Sequence, residues 1–280
     1  MNRKWIYLLL SFSICTVLLV AVTDIRGSWK HKDQQNSQES KSTMKMVDFK
    51  EFFGDSEGCA VFYSVKDNRY DLYKPEMAEV RATPCSTFKI ISSLAGLNYG
   101  VIKDKDTVFK WDGTEQPVKD WNQDLSFESA FKKSAVWYFA RVVDQVGKER
   151  MNAILKEINY GNLDTSGDGA FWLGSTLEIS PMEQVRIVKQ LFNDELPFTK
   201  EQMELVRSVM FISDKKGVLS GKTGSSGIVP DYPTPTAWFI GDYKTYKDDY
   251  YFAVRIYGGD NISGQRAKEI ATKICEEIYY

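Results

Sequence analysis

The chain of 280 residues has one histidine, His31, and four cysteines with no Cys-x-x-Cys spacing. His31 stands in a polar stretch, so neither a histidine-based catalytic triad nor a multi-histidine metal centre can be assembled, and no metal ligand is assigned. Cys15 lies in an apolar run, which leaves Cys59, Cys85 and Cys275. These are too few for a disulfide-stapled scaffold, and a Cys59–Cys275 pairing stays open. An excess of positive charge is also missing: 36 Lys and Arg face 38 Asp and Glu, with a pI near 5.7. No net field draws a nucleic-acid backbone, and nucleic acid is set aside as a partner. No internal repeat is present and nothing in the sequence sets an oligomeric state. What the chain does have is 43% apolar and 14% aromatic residues, enough for a full core. One domain with an appendage accounts for that length.

The appendage is N-terminal. Trp5 to Val22 is an uncharged, mostly apolar run behind Arg3 and Lys4, the pattern of an export signal or membrane anchor. Residues 1–27 are therefore expected to take the protein out of the cytoplasm, with the membrane as a partner through this segment. Ala21-Val22-Thr23 is a poor cleavage site, and the run's length leaves cleavage and retention both open. Residues 28–43 (SWKHKDQQNSQESKST) hold one aromatic and no aliphatic side chain, too little to offset the entropy of ordering them, and read as a flexible polar linker. The folded part is expected over 44–280. At its start Met46, Phe49 and Phe53 recur at helical spacing before Gly54, predicting a short amphipathic helix.

Two β-rich runs, from Gly58 and from Arg69, flank the polar turn Lys66-Asp67-Asn68 and predict a hairpin. Ser86 to Gly100 turns helical. Helical patterns follow over Ser126 to Lys133 and Trp137 to Val146, and another ends at Ile158. Ser180-Pro181-Met182-Glu183 and Thr199 with Gln202 mark two further helix starts. Strands return at Gly217–Thr223, Thr236–Tyr243 and Tyr250–Tyr257, before a last helix from Ser263 to Ile278. The expected fold is α+β: a single antiparallel sheet built from both chain ends, with flanking helices and an inserted helical region.

Ser-x-x-Lys can bring an amine to a hydroxyl at the start of a helix, where residues three apart stack. The pattern occurs four times, at Ser42/Lys45, Ser86/Lys89, Ser129/Lys132 and Ser213/Lys216. Only Ser86/Lys89 precedes a long apolar helix, with Lys89 among Phe88, Ile90 and Ile91, where burial lowers an amine's pKa. Gly217-Val-Leu-Ser-Gly221-Lys222-Thr223 imitates a phosphate-binding loop, but three residues separate its glycines where four are required. Ser134-Ala-Val136 taken alone reads as a helix cap, and Tyr160-Gly-Asn162 as a turn.

Order changes the reading. Ser86-Thr-Phe-Lys89, Ser134-Ala-Val136, Tyr160-Gly-Asn162, Phe171-Trp-Leu173 and Lys222-Thr-Gly224 together resemble the motif set of the class D (oxacillinase-type) serine β-lactamases, over roughly Gly54 to the C-terminus. The related class A and penicillin-binding set carries Ser-Asp-Asn where Ser134-Ala-Val136 stands. The resemblance implies a serine β-lactamase/DD-peptidase-like fold and a β-lactam as small-molecule partner. Ser86 would be nucleophile, Lys89 a base N-carboxylated by carbon dioxide with no other cofactor, and Ser134 a proton relay. Phe88, Val136, Phe139 and Trp172 would line the lysine, with the Trp172 indole donating to its carboxylate. Lys222, Thr223, Gly224, Ser225 and Arg266 would bind substrate, the backbone N–H groups of Ser86 and Ser225 forming an oxyanion hole. Ser225 replaces the bulky aromatic that many members carry after Lys-Thr-Gly. A β-lactam sensor that stays acylated and a cell-wall DD-peptidase are the competing functions. The peptidase would carry asparagine at Val136, and the sensor a multi-helix membrane part with a zinc protease.

Overall fold

A computed structural model describes residues 42–167, 169–174, 176–227 and 235–280. The export segment and the linker as far as Lys41 lie outside them. Nine strands and eight helices follow one another: β1 (Thr43–Met46), α1 (Lys50–Phe53), β2 (Glu57–Ser64), β3 (Arg69–Tyr73), α2 (Lys89–Asn98), β4 (Val108–Phe109), β5 (Leu125–Ser126), α3 (Phe127–Lys133), α4 (Val136–Val146), α5 (Lys148–Glu157), α6 (Pro181–Phe192), α7 (Lys200–Met210), β6 (Phe211–Ser213), β7 (Val218–Ser225), β8 (Ala237–Lys244), β9 (Asp249–Gly258) and α8 (Gly264–Ile274). A 3₁₀ turn, Cys85–Phe88, leads into α2, and a π-helical turn, Cys275–Tyr279, follows α8.

Seven strands form one sheet in the order β1-β3-β2-β9-β8-β7-β6, so both chain ends meet at its centre where β2 lies antiparallel to β9. The predicted hairpin is β2–β3, closed through Asn68 at φ +46°. Both predicted capping boxes are present. Ser180 and Glu183 satisfy each other's backbone N–H groups at the start of α6, and Thr199 and Gln202 do so for α7. Such a cap stabilises a helix by about 1 kcal/mol.

Three elements differ from expectation. Met46 belongs to β1, which pairs parallel with β3 from Thr43↔Arg69 to Met46↔Leu72, so the sheet is not wholly antiparallel. Backbone bonds from Thr43 N to Asn68 O (3.1 Å) and from Val47 N to Leu72 O (3.0 Å) tie this edge, and α1 keeps only four residues. A nucleus that short gains little from helical spacing, so pairing to the sheet edge prevails. The third difference is a separate two-residue pairing, β4 with β5, inside the helical region.

Apolar side chains cover both faces of the sheet. Val61, Tyr63, Trp238, Ile240 and Ala253 pack under the helical region with Leu94, Phe139 and Val188. Phe62, Phe239, Phe252 and Val254 pack on the opposite face with Phe53, Ile270 and Ile274 of α1 and α8. Burial on both faces explains why β2 reads as a near-continuous apolar run instead of alternating. Each fully buried Phe or Ile contributes about 1.5–3 kcal/mol.

Candidate active site

Ser86 sits in the 3₁₀ turn before α2, and Lys89 opens that helix. One turn of spacing places Lys89 Nζ 2.8 Å from Ser86 Oγ. The amine is wholly buried, 5.4 Å from the centre of the Phe139 ring. Loss of solvation lowers its pKa well below the ordinary lysine value; the charge of Lys222 adds to this and Cys85 opposes it. The other three Ser-x-x-Lys pairs are not joined: Ser42 bonds Asn68, Lys132 bonds Glu128 and Lys216 bonds Glu276.

A second serine–lysine pair faces the first. Ser134 ends α3 in the left-handed conformation (φ +57°), and its hydroxyl accepts from Lys222 Nζ at 2.9 Å. Lys222 is buried, and burial, followed by repulsion from Lys268, pushes its pKa down to about 7. Ser86, Ser134, Thr223, Gly224 and Ser225 line one cleft of about 190 Å³. Gly224 makes this possible. A Cβ there would stand 3.0 Å from Pro84 O and 3.3 Å from Cys85 Cβ, so only glycine lets β7 lie this close to the nucleophile turn. Gly264 does the same for α8, where a Cβ would stand 2.9 Å from Thr223 Cβ.

The loop from Tyr160 to Ile179 brings in Trp172, whose ring stacks on Phe88 at 5.4 Å. Asn162 closes that loop: its side chain donates to Thr176 O (2.8 Å) and accepts from Glu178 N (3.0 Å). Gly161 is required beside it, because φ is +56° and a Cβ would collide with Glu178 O. The indole N–H of Trp172 is buried without a hydrogen-bond partner. Buried polar groups are ordinarily paired, so an unpartnered donor of this kind calls for an acceptor. Val136 begins α4, half-buried against the same core.

Arg266 is not brought to the cleft. Its guanidinium donates to Phe53 O (2.9 Å), Phe52 O (3.3 Å) and Ser56 Oγ (3.3 Å), holding the end of α1. The cleft residues of α8 are Gly264 and Gln265.

Sequence reasoning missed three further participants. Thr83 joins the Trp172 loop to the nucleophile turn, its hydroxyl donating to Trp172 O (2.9 Å) and accepting from Gly174 N (2.9 Å). Gln184 of α6 donates to Thr87 Oγ1 (2.8 Å), and that hydroxyl donates to Pro84 O (2.7 Å), bracing the turn. Trp121 lines the cleft with its N–H on Lys133 O (2.9 Å). Cys85, immediately before the nucleophile, takes φ +51°. For Thr83 and Gln184 no local pattern could have signalled contacts across 89 and 97 residues.

Two serine–lysine pairs, Ser86 with Lys89 and Ser134 with Lys222, thus meet at one cleft on a sheet flanked by helices. The chain belongs to the penicillin binding protein transpeptidase domain family, which it matches over residues 53–276. Within that family it has a class D β-lactamase-like fold. It superposes on the class D beta-lactamase BAT-2 with TM-score 0.76 and 35% identity, covering 82% of this chain and 95% of that one. The C-terminal domain of the Bacillus licheniformis BlaR penicillin-receptor superposes with TM-score 0.80 and 36% identity, covering 85% and 98%. The probable beta-lactamase YbxI of Bacillus subtilis is 31% identical over 98% of this chain and 97% of its own length. The regulatory protein BlaR1 of Bacillus licheniformis is 36% identical over 84% of this chain, which spans only 39% of that protein. Among the described residues no helix is long and apolar enough to cross a membrane.

Proposed function

We propose that the protein hydrolyses the β-lactam ring of penicillin-type antibiotics through an acyl-enzyme on Ser86, and so confers resistance to them. The observation that carries this reading is the 2.8 Å contact between Ser86 Oγ and a wholly buried Lys89 amine. A neutral amine there accepts the Ser86 proton as Oγ attacks the ring carbonyl. The backbone N–H groups of Ser86 and Ser225, which share the cleft, are suited to the developing oxyanion. Ser134, bonded to Lys222, would hand a proton to the departing ring nitrogen. Lys222 offers its charge to the substrate carboxylate.

Release of the acyl group needs a base for water. A carboxylate formed on Lys89 by carbon dioxide would supply that base, one helical turn from the ester. Three features favour it: the burial that lowers the Lys89 pKa, the Phe139 ring beside the amine, and the unpartnered Trp172 N–H. We further infer that the enzyme works outside the cytoplasmic membrane, exported by residues 1–27 and held there by Trp5 to Val22 if that segment is retained.

The receptor likeness supports a second reading, a sensor that is acylated once and stays so. One experiment separates the two. The protein is mixed with a chromogenic β-lactam, and product release and intact mass are followed together. Sustained turnover with a transient adduct on Ser86 is expected. A single burst equal to the protein concentration, with an adduct lasting hours, would replace hydrolysis by sensing. An adduct on Ser129 or Ser213, or turnover surviving Ser86→Ala, would overturn both.

A further inference from the structure

Beside β7 lies a second cavity of about 470 Å³, which shares Thr223 with the Ser86 cleft. Its floor is apolar, formed by Phe131 of α3, Val209 and Met210 of α7 and Phe239 of β8. Gly221 keeps it open, since a Cβ there would press on the Phe239 ring at 2.7 Å. Phe211, 46% exposed, stands at the rim.

The charges around this cavity are unbalanced. Three lysines line it: Lys132 from α3, Lys222 from β7 and Lys268 from α8. Lys132 is neutralised by Glu128 at 2.6 Å. Lys222 donates only to Ser134 Oγ and Thr223 O, and Lys268 has no hydrogen bond or ion pair with any described residue. Lys268 repels Lys222, and the charge of Lys222 in turn acts against that of Lys89. Two uncompensated ammonium groups beside an apolar hollow make a site that is complementary to an anion with an apolar body, and incomplete without one.

We propose that this cavity binds a monocarboxylate bearing an alkyl or aryl body, its carboxylate at Lys268 and its body against Phe131, Met210 and Phe239. The bound carboxylate would screen Lys222 from Lys268. That repulsion helps hold Lys222 near pKa 7, so occupancy would keep Lys222 charged to higher pH. The site is therefore a regulatory one, bordered by the strand that carries Lys-Thr-Gly.

Calorimetric titration of the full chain with decanoate tests the site without any β-lactam chemistry. One molecule per chain is expected. Decanol, which lacks the charge, and inorganic phosphate, which lacks the body, should each bind at least about tenfold more weakly. Lys268→Glu should weaken decanoate by about tenfold or more, and Ile212→Trp, which fills the cavity from β6, should abolish binding. Equal decanoate affinity in Lys268→Glu, equal affinity for phosphate, or displacement of decanoate by an arylboronic acid on Ser86 would overturn the proposal; the last would place the ligand in the catalytic cleft. The regulatory consequence rests on the proposed reaction and has its own measurement. With decanoate bound, the alkaline limb of the Ser86 acylation profile should move to higher pH in the wild type and stay put in Lys268→Glu. Binding without any such movement would refute the coupling alone.

Discussion

Replacing Trp172 with phenylalanine removes one N–H and part of a ring from the wall behind Lys89. That N–H is buried and unpartnered, a state that costs about 1–3 kcal/mol. A carboxylate on Lys89 that accepts from it would recover this free energy, so wild type should favour the modified lysine by the same amount. With about 1.4 kcal/mol per tenfold in equilibrium, the variant should need about 5- to 150-fold more bicarbonate for half-occupancy. The smaller ring also leaves space against Phe88, at a cost of about 1–3 kcal/mol. That loss should lower Tm by about 2–4 °C per kcal/mol, whatever the bicarbonate concentration, so it is separable from the first effect. The assay is a titration with ¹³C-labelled bicarbonate, following the carbamate resonance by NMR alongside turnover of a chromogenic β-lactam. Acid should erase both signals, because protonation removes the amine that carbon dioxide requires. Identical bicarbonate midpoints for wild type and variant would show that the indole is not the acceptor's partner and refute the reasoning.

Arg266→Gln should leave KM for benzylpenicillin within about threefold while lowering stability by about 1–3 kcal/mol, because the guanidinium serves the carbonyls of Phe52 and Phe53. A tenfold or greater rise in KM at unchanged Tm would restore it as substrate anchor. Lys222→Met should be more stable than wild type at pH 7, since it removes a buried ammonium without a carboxylate partner. The folded-state pKa of Lys222 lies below its ordinary value of 10.5, so between about pH 7 and 10.5 the unfolded chain binds more protons and wild type gains stability as pH rises. The gap between the two should close by about 1.4 kcal/mol per pH unit in that window, and denaturant melts showing a gap independent of pH would refute this.

What could be read in the sequence was mainly what is local. The β2–β3 hairpin, the capping boxes at Ser180 and Thr199, and the helix behind Ser86 are all decided by residues within a few positions of one another. Even among local signals a longer-range contact could prevail: the helical spacing of Met46, Phe49 and Phe53 was overruled by the open edge of β3. Arg266 shows the same limit. Its sequence context shows a basic residue on the first turn of the last helix, but the carbonyls that its guanidinium serves lie 214 and 213 residues earlier. Nothing near position 266 tells which side of α8 meets the cleft.

The candidate site could be read despite this because its motifs combine two kinds of constraint. On the proposed reaction Ser86, Lys89, Ser134 and Lys222 are fixed by chemistry, as each would present a nucleophile, a base or a charge. Gly161, Asn162 and Gly224 are fixed by backbone geometry. Gly161 and Gly224 stand where a Cβ would meet the Glu178 and Pro84 carbonyls, and Asn162 ties the two ends of the Trp172 loop together. Residues of the second kind tolerate little substitution without moving residues of the first, so reacting and spacing positions must change together or not at all. That coupling is why scattered triplets such as Tyr160-Gly-Asn162, uninformative alone, become legible once taken in order. It is also why Thr83 and Gln184, which brace the same turn through replaceable hydrogen bonds, left no such mark.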